Sequence, residues 1–322
     1  MGSFYGARLA LAAHETHFLL RSDFEKVRRN GVSVCSPQGD FHVRPKCARL
    51  PEEIGPVDLV LIGLKTTANS EFGRLLHPLV GPATAILTLQ NGLGNEAQLA
   101  RLFPVEQILG GLCFVCLNRI EPGIIHHIAH GAIFLGEFER WPEPRTHDIA
   151  GAFRHAGVPC TVTDNLARTH WEKLVWNIPF NGLGVAAAAG FEALDSPGSA
   201  AWVGRHGGPC MTTDELLAEE RWALRVRQLM LEVIAAARAL GLDVAETLAD
   251  KQIERTRTMG AYRASTLVDF ERGQPLELES LFMEPLRQGR RAGLPMPMLS
   301  ALCAVLERLD KTAAAFRIKS GS

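Results

Sequence analysis

The 322 residues exceed the usual reach of one hydrophobic core, so two domains are expected, and 47% hydrophobic with 21% charged residues is enough to build ordinary globular cores. A formal net charge of −1 with no Lys/Arg-rich run excludes the basic footprint of a nucleic-acid binder, and no apolar stretch reaches the roughly 18 residues needed to cross a bilayer. The seven cysteines are scattered and odd in number, and the N-terminus lacks the order of a signal peptide, so reduced thiols and a cytoplasmic location are expected.

The chain opens on a helical pattern, Met1 to Ala12, followed by a β-type run from Glu15 to Asp23 that carries Arg21 at its polar end. After a hairpin expected within 39–49, Val57 to Leu64 reads as a buried parallel strand ending at Lys65-Thr66-Thr67-Ala68-Asn69. A helix over 70–79 leads to a second such strand, Ala85 to Leu89, which ends at Gln90-Asn91-Gly92-Leu93-Gly94. Open α/β sheets bind ligands at the C-terminal ends of their strands, which is where both polar clusters fall. Strands are expected over 111–117, 123–128, 132–138 and 160–163, with one helix over 148–155. Cys113-Phe114-Val115-Cys116 has CxxC spacing but lies in an apolar run with no second ligand pair, so it reads as a buried strand.

From Asn165 the pattern turns almost wholly helical, which places a domain boundary between 164 and 165. Trp171 to Asn181 is the most informative stretch: Lys173, Asn177 and Asn181 stand at i, i+4 and i+8 on one helix face, while Leu174, Val175, Ile178 and Phe180 make an apolar one. Such a helix presents an amine and two carboxamides, a set able to donate a proton and orient a substrate without added charge. Pro179 is expected to kink the helix or end its regular part. A Gly/Ser/Pro-rich loop over 194–210 precedes a long helix capped by Thr212-Thr213-Asp214 and closed by Gly241, with further helices over 244–256, 276–292 and 298–309.

Taken in order, Gly2-Ser3-Phe4-Tyr5-Gly6-Ala7, Phe18-Leu19-Leu20-Arg21-Ser22, Gly63-Leu64-Lys65-Thr66, Gln90-Asn91-Gly92-Leu93-Gly94, Trp171-Glu172-Lys173-Leu174 and Ser265-Thr266-Leu267-Val268-Asp269 before Pro275-Leu276-Glu277 resemble the ketopantoate reductase family over nearly the whole chain. The resemblance implies an α/β fold: a Rossmann-like NADPH-binding domain over 1–164 and an all-helical substrate-binding domain over 165–322. It implies hydride transfer from NADPH to the ketone carbon of a small 2-keto acid, ketopantoate, giving pantoate, in a protein able to form a homodimer. By the same resemblance Lys173 matches the general acid and Glu277 the carboxylate that binds the substrate hydroxyl and helps hold the lysine. Asn177, Asn181 and Ser265 match substrate-binding residues, Asn91 the residue where cofactor and substrate meet, and Lys65 a lysine lining the cleft. Gly2 matches the third glycine of the GxGxxG loop. Arg21 stands about twenty residues beyond that loop, where an arginine accommodates the phosphate of NADP.

Two departures stand out. The first strand and first two glycines of the family pattern are missing, which is expected to bare the neighbouring strand edges and remove part of the phosphate cradle. A sequence that starts late and a paralogue that no longer binds cofactor both account for this. Ala68, where some relatives carry glutamine, and the extra loop near 195–208 leave a related keto acid open as substrate.

Overall fold

The computed structural model describes residues 1–198 and 208–320, with side chains to residue 314. It divides into two units, one of residues 1–91 with 95–169 and one of 92–94 with 170–322.

The first unit is α/β. Helix α1 (Gly2–Leu11) is followed by β1 (His17–Leu19), α2 (Phe24–Asn30), the hairpin β2 (Val32–Cys35) and β3 (Phe41–Val43), and β4 (Lys46–Ala48). Beyond β5 (Leu59–Ile62), 3-10 turns flank the short α3 (Phe72–Leu76), and β6 (Ala85–Thr88) leads to α4 (Asn95–Leu99). The long strands β7 (Ile108–Glu121) and β8 (Ile124–Glu137), then α5 (Pro144–His155) and β9 (Cys160–Val162), complete it. Seven strands form one sheet in the order β3-β2-β8-β7-β6-β5, with β9 beside β8, while β1 and β4 pair parallel as a separate two-stranded sheet. β5 ends the seven-stranded sheet as an edge strand, and β1 has only β4 beside it.

Alternation across the pleat sorts the side chains between two cores. Val60, Ile62, Ile86 and Ile108 pack with Phe72, Leu76 and Leu99, whereas Ala85, Leu87, Leu89 and Leu109 pack with Phe4, Tyr5 and Ala7 of α1. Ile86 and Leu87 are fully buried, each contributing about 1.5–3 kcal/mol by removal from water. The start of α1 lies against the end of β5, where a Cβ on Gly63 would fall 2.4 Å from the backbone nitrogen of Gly2. Glycine is therefore required at 63.

One local reading is corrected. Residues 123–128 and 132–138 belong to a single strand, β8, paired antiparallel with β7 through irregularities at Phe114/Val115, Cys116/Leu117 and Arg119/Glu121. Each bulge adds an unpaired residue and resets the alternation, so one bent strand reads as two. His130, at φ 65°, marks one such break. Cys113 and Cys116 both lie on β7, as expected for a strand.

The second unit is helical. It begins within α6 (Leu166–Ala186) and continues through α7 (Glu192–Asp195), α8 (Thr213–Ala218), α9 (Glu220–Ala239), α10 (Thr247–Arg257), α11 (Ser265–Glu271), a π-turn at Glu279–Met283, α12 (Glu284–Arg291) and α13 (Pro297–Ser320). Residues 199–207 of the expected loop lie outside the described residues. Helix α6 runs through Pro179 instead of ending there, because its apolar face is held in the core by Trp171, Leu174, Val175 and Ile178, packed with Leu229 and Val233 of α9 and Leu299 and Leu302 of α13. The helix expected after Thr212 is interrupted at Glu219, whose extended backbone (ψ 119°) separates α8 from α9. Thr212 does head α8, its N–H bonded to Glu215 Oε2 at 2.7 Å in a capping box. Among the described residues no helix is long and apolar enough to cross a membrane.

Candidate active site

Lys173, Asn177 and Asn181 share one face of α6, one turn apart. The opposite face is committed to the core, which fixes the helix's rotation and therefore the direction of the polar stripe. Asn177 and Asn181 are buried, and Lys173 is half-buried.

Asn181 has a local structural task as well. Its Oδ1 accepts the backbone N–H of Thr266 at 2.9 Å and the hydroxyl of Ser265 at 3.2 Å. Helix α11 starts at Ser265 behind Ala264, which has no side-chain acceptor for the helix's exposed donors, so Asn181 caps it from 84 residues away in sequence. With Oδ1 committed to an N–H, the Nδ2 of Asn181 remains as a donor on the other side of the amide. Glu277 is buried just ahead of the π-turn, its carbonyl accepting the N–H of Leu281 at 3.3 Å. Lys173, Asn177, Asn181, Ser265 and Glu277 thus all belong to the helical unit, and Ser265 and Asn181 touch. An amine, two amides, a hydroxyl and a carboxylate can bind a small polar acid and donate a proton to an oxygen that gains charge.

Gly2, Arg21, Lys65 and Asn91 belong to the sheet unit. Gly2 opens α1 beside Gly63, and Arg21 is exposed in the bend after β1. Lys65 is exposed at the start of the 3-10 turn after β5, and Asn91 follows the end of β6. A chain of amides holds the last of these in place. Thr88 Oγ1 donates to Gln90 Oε1 (2.9 Å), Gln90 Nε2 to Asn69 Oδ1 (2.8 Å), Asn69 Nδ2 to Asn95 Oδ1 (2.9 Å), and Asn95 Nδ2 to the carbonyl of Asn91 (3.1 Å). Each amide uses its oxygen as acceptor and its nitrogen as donor, so the polarity of the chain is self-consistent. Sequence reasoning missed Asn69 and Asn95 as the supports of Asn91. The available signal was the run of amides at two neighbouring strand ends.

Two family models match this chain, ketopantoate reductase PanE/ApbA over residues 1–140 and ketopantoate reductase PanE/ApbA C terminal over residues 210–310. A 2-dehydropantoate 2-reductase of Nostoc is 35% identical over 320 residues, spanning 96% of this chain and 92% of that protein. The chain belongs to the ketopantoate reductase family. A crystal structure of 2-dehydropantoate 2-reductase from Geobacter metallireducens superposes with a TM-score of 0.85 at 46% identity, covering 95% of each chain. At the level of fold alone, a ternary structure of D-mandelate dehydrogenase with NADH and anilino(oxo)acetate matches with a TM-score of 0.80 at 17% identity over 98% of this chain and 96% of that one. Members of the ketopantoate reductase family are NAD(P)-dependent oxidoreductases with an N-terminal α/β unit and a helical C-terminal unit, the order of elements found here.

Proposed function

We propose that this protein reduces 2-dehydropantoate to pantoate with NADPH, in the biosynthesis of pantothenate. The observation that carries the reading is the polar stripe of α6, in which Lys173 stands with Asn177 and with an Asn181 whose carbonyl is locked onto the start of α11. In this reading Lys173 donates a proton to the oxygen that becomes the alcohol, and Glu277 holds the substrate hydroxyl and orients the lysine. Asn177, Ser265 and the Nδ2 of Asn181 bind the keto acid, placing its carbonyl for attack. In the same reading Asn91, held by the amide chain, contacts the cofactor.

NADPH, when bound, supplies the hydride. The start of α1, packed on Gly63 with no room for a side chain there, fits the close backbone approach that a pyrophosphate needs, and Gly2 would face it. Arg21, exposed past β1, would take the ribose phosphate, and Lys65 the cleft side of the cofactor. A second reading, reduction of another small 2-keto acid, is favoured by Ala68 in the 3-10 turn after β5.

The test is NADPH oxidation followed optically with ketopantoate and a panel of 2-keto acids. Lys173→Ala is expected to lower kcat by about 10²–10⁴-fold with little change in thermal midpoint, the range for loss of a general acid. Near-normal turnover would remove Lys173 from the chemistry. Preference for another keto acid selects the second reading, and absence of cofactor binding makes the chain a non-catalytic member of the family.

A further inference from the structure

Residues 92–94 sit between stretches of the sheet unit in sequence yet belong to the helical unit. The N–H of Leu93 donates to the carbonyl of Ser280 at 2.8 Å, inside the π-turn Glu279–Met283. In a π-turn each carbonyl is served by the N–H five residues on, so Glu284 reaches back to Glu279, and Ser280 would need the N–H of residue 285. That residue is Pro285, which has none. Ser280 is buried, and the N–H of Leu93 supplies a donor to its carbonyl.

The approach leaves no tolerance at Gly92. Its φ is +85°, and a Cβ there would fall 2.3 Å from the oxygen of Ser280, 2.4 Å from its carbonyl carbon and 2.8 Å from the nitrogen of Leu281. All three are backbone atoms and cannot rotate away.

We propose that this clasp is the positioning device for the Glu277 carboxylate, with Gly92 and Pro285 as positioning residues. Glu277 lies three residues ahead of the clasped carbonyl, is buried, and is tied to the same turn through Leu281. Opening the clasp frees the turn to shift, and a shift of the turn rotates Glu277 away from its direction. The proposal rests on the reading of Glu277 as a keto-acid ligand.

The experiment compares Gly92→Ala and Pro285→Ala with the unaltered protein in three measurements: hydrogen exchange at the Leu93 amide, steady-state kinetics with NADPH and ketopantoate, and the carboxyl carbon resonance of Glu277, assigned by its loss in Glu277→Gln. Gly92→Ala is expected to speed exchange at Leu93, raise KM for the keto acid about tenfold or more, lower kcat through the lysine that Glu277 orients, shift the Glu277 resonance, and leave the Kd for NADPH within about threefold. Pro285→Ala, which offers Ser280 a donor from within its own helix, shifts each readout the same way by less. Faster exchange at Leu93 with unchanged KM and an unmoved Glu277 resonance overturns the proposal, as does full protection of Leu93 in Gly92→Ala. If the unaltered protein turns over no keto acid, the functional reading fails separately, and the Glu277 resonance alone then decides the clasp.

Discussion

Replacing Asn181 in two ways separates its structural task from its substrate task. Asn181→Ala removes the acceptor for the buried Thr266 N–H and for the hydroxyl of the exposed Ser265. A buried donor left without a partner costs about 1–3 kcal/mol, and loss of a helix cap about 0.5–2 kcal/mol. These describe overlapping effects, so a total of about 2–3 kcal/mol is expected. For a unit of this size that lowers the thermal midpoint of the helical unit by about 4–12 °C. Asn181→Asp keeps an oxygen in the same place, at the positive end of α11, where a carboxylate is favourable by about 0.3–1 kcal/mol. The midpoint should therefore stay within about 3 °C, the aspartate's desolvation being offset by its two donors. What the aspartate lacks is the Nδ2 donor, and it sets a negative charge facing a negatively charged substrate. Loss of a hydrogen bond to a charged group is worth about 1.5–3 kcal/mol, so KM for the keto acid should rise about 10- to 100-fold with NADPH affinity unchanged. The assays are calorimetry and steady-state kinetics on the same preparations. An aspartate variant with unaltered KM refutes the substrate role, and an alanine variant with unaltered midpoint refutes the cap.

Three further outcomes follow from other parts of the molecule. Arg21→Ala should weaken NADPH about 10- to 100-fold and NADH little, as for loss of a charge-assisted phosphate contact; equal loss for both cofactors in fluorescence titration rules the residue out as the phosphate reader. The fully buried side chain of Glu137 is held by Arg145 and by the Thr146 hydroxyl, so Arg145→Ala should cost about 3–5 kcal/mol in urea unfolding by stranding that carboxylate, and a loss under about 1 kcal/mol would contradict this. His127 is buried with Nδ1 on the Ser36 hydroxyl at 2.9 Å and Nε2 on the carbonyl of His130 at 3.0 Å, and burial, reinforced by the charge of Arg8, holds its pKa below the ordinary 6.5. The unfolded chain then binds more protons than the folded one as pH falls through 6.5, so this contribution to stability is present above 6.5 and lost below it, and the urea midpoint should drop between about pH 7 and pH 5 less steeply in His127→Gln.

The sequence by itself determined what local periodicity encodes. The polar stripe of α6 opposite its apolar face, the continuous apolar runs of β5 and β6, the helix at the N-terminus and the turn to helices after residue 164 were legible because each is a local pattern within its own element. Tertiary structure alone decided what joins residues far apart. Asn181 and Thr266 are 85 positions distant, and nothing near either residue says that one caps the other. The amide chain from Thr88 to Asn91 gathers Asn69 from the 3-10 turn after β5 and Asn95 from the start of α4, and the clasp sets Leu93 against Ser280. Bulges hid the length of β8, since a single added residue inverts the pattern on which a strand is read. The residue types at the polar stripe suggested the chemistry proposed for α6. The task that Asn181 already has was decided by hydrogen bonds across the helical unit: its oxygen is spent on the start of α11.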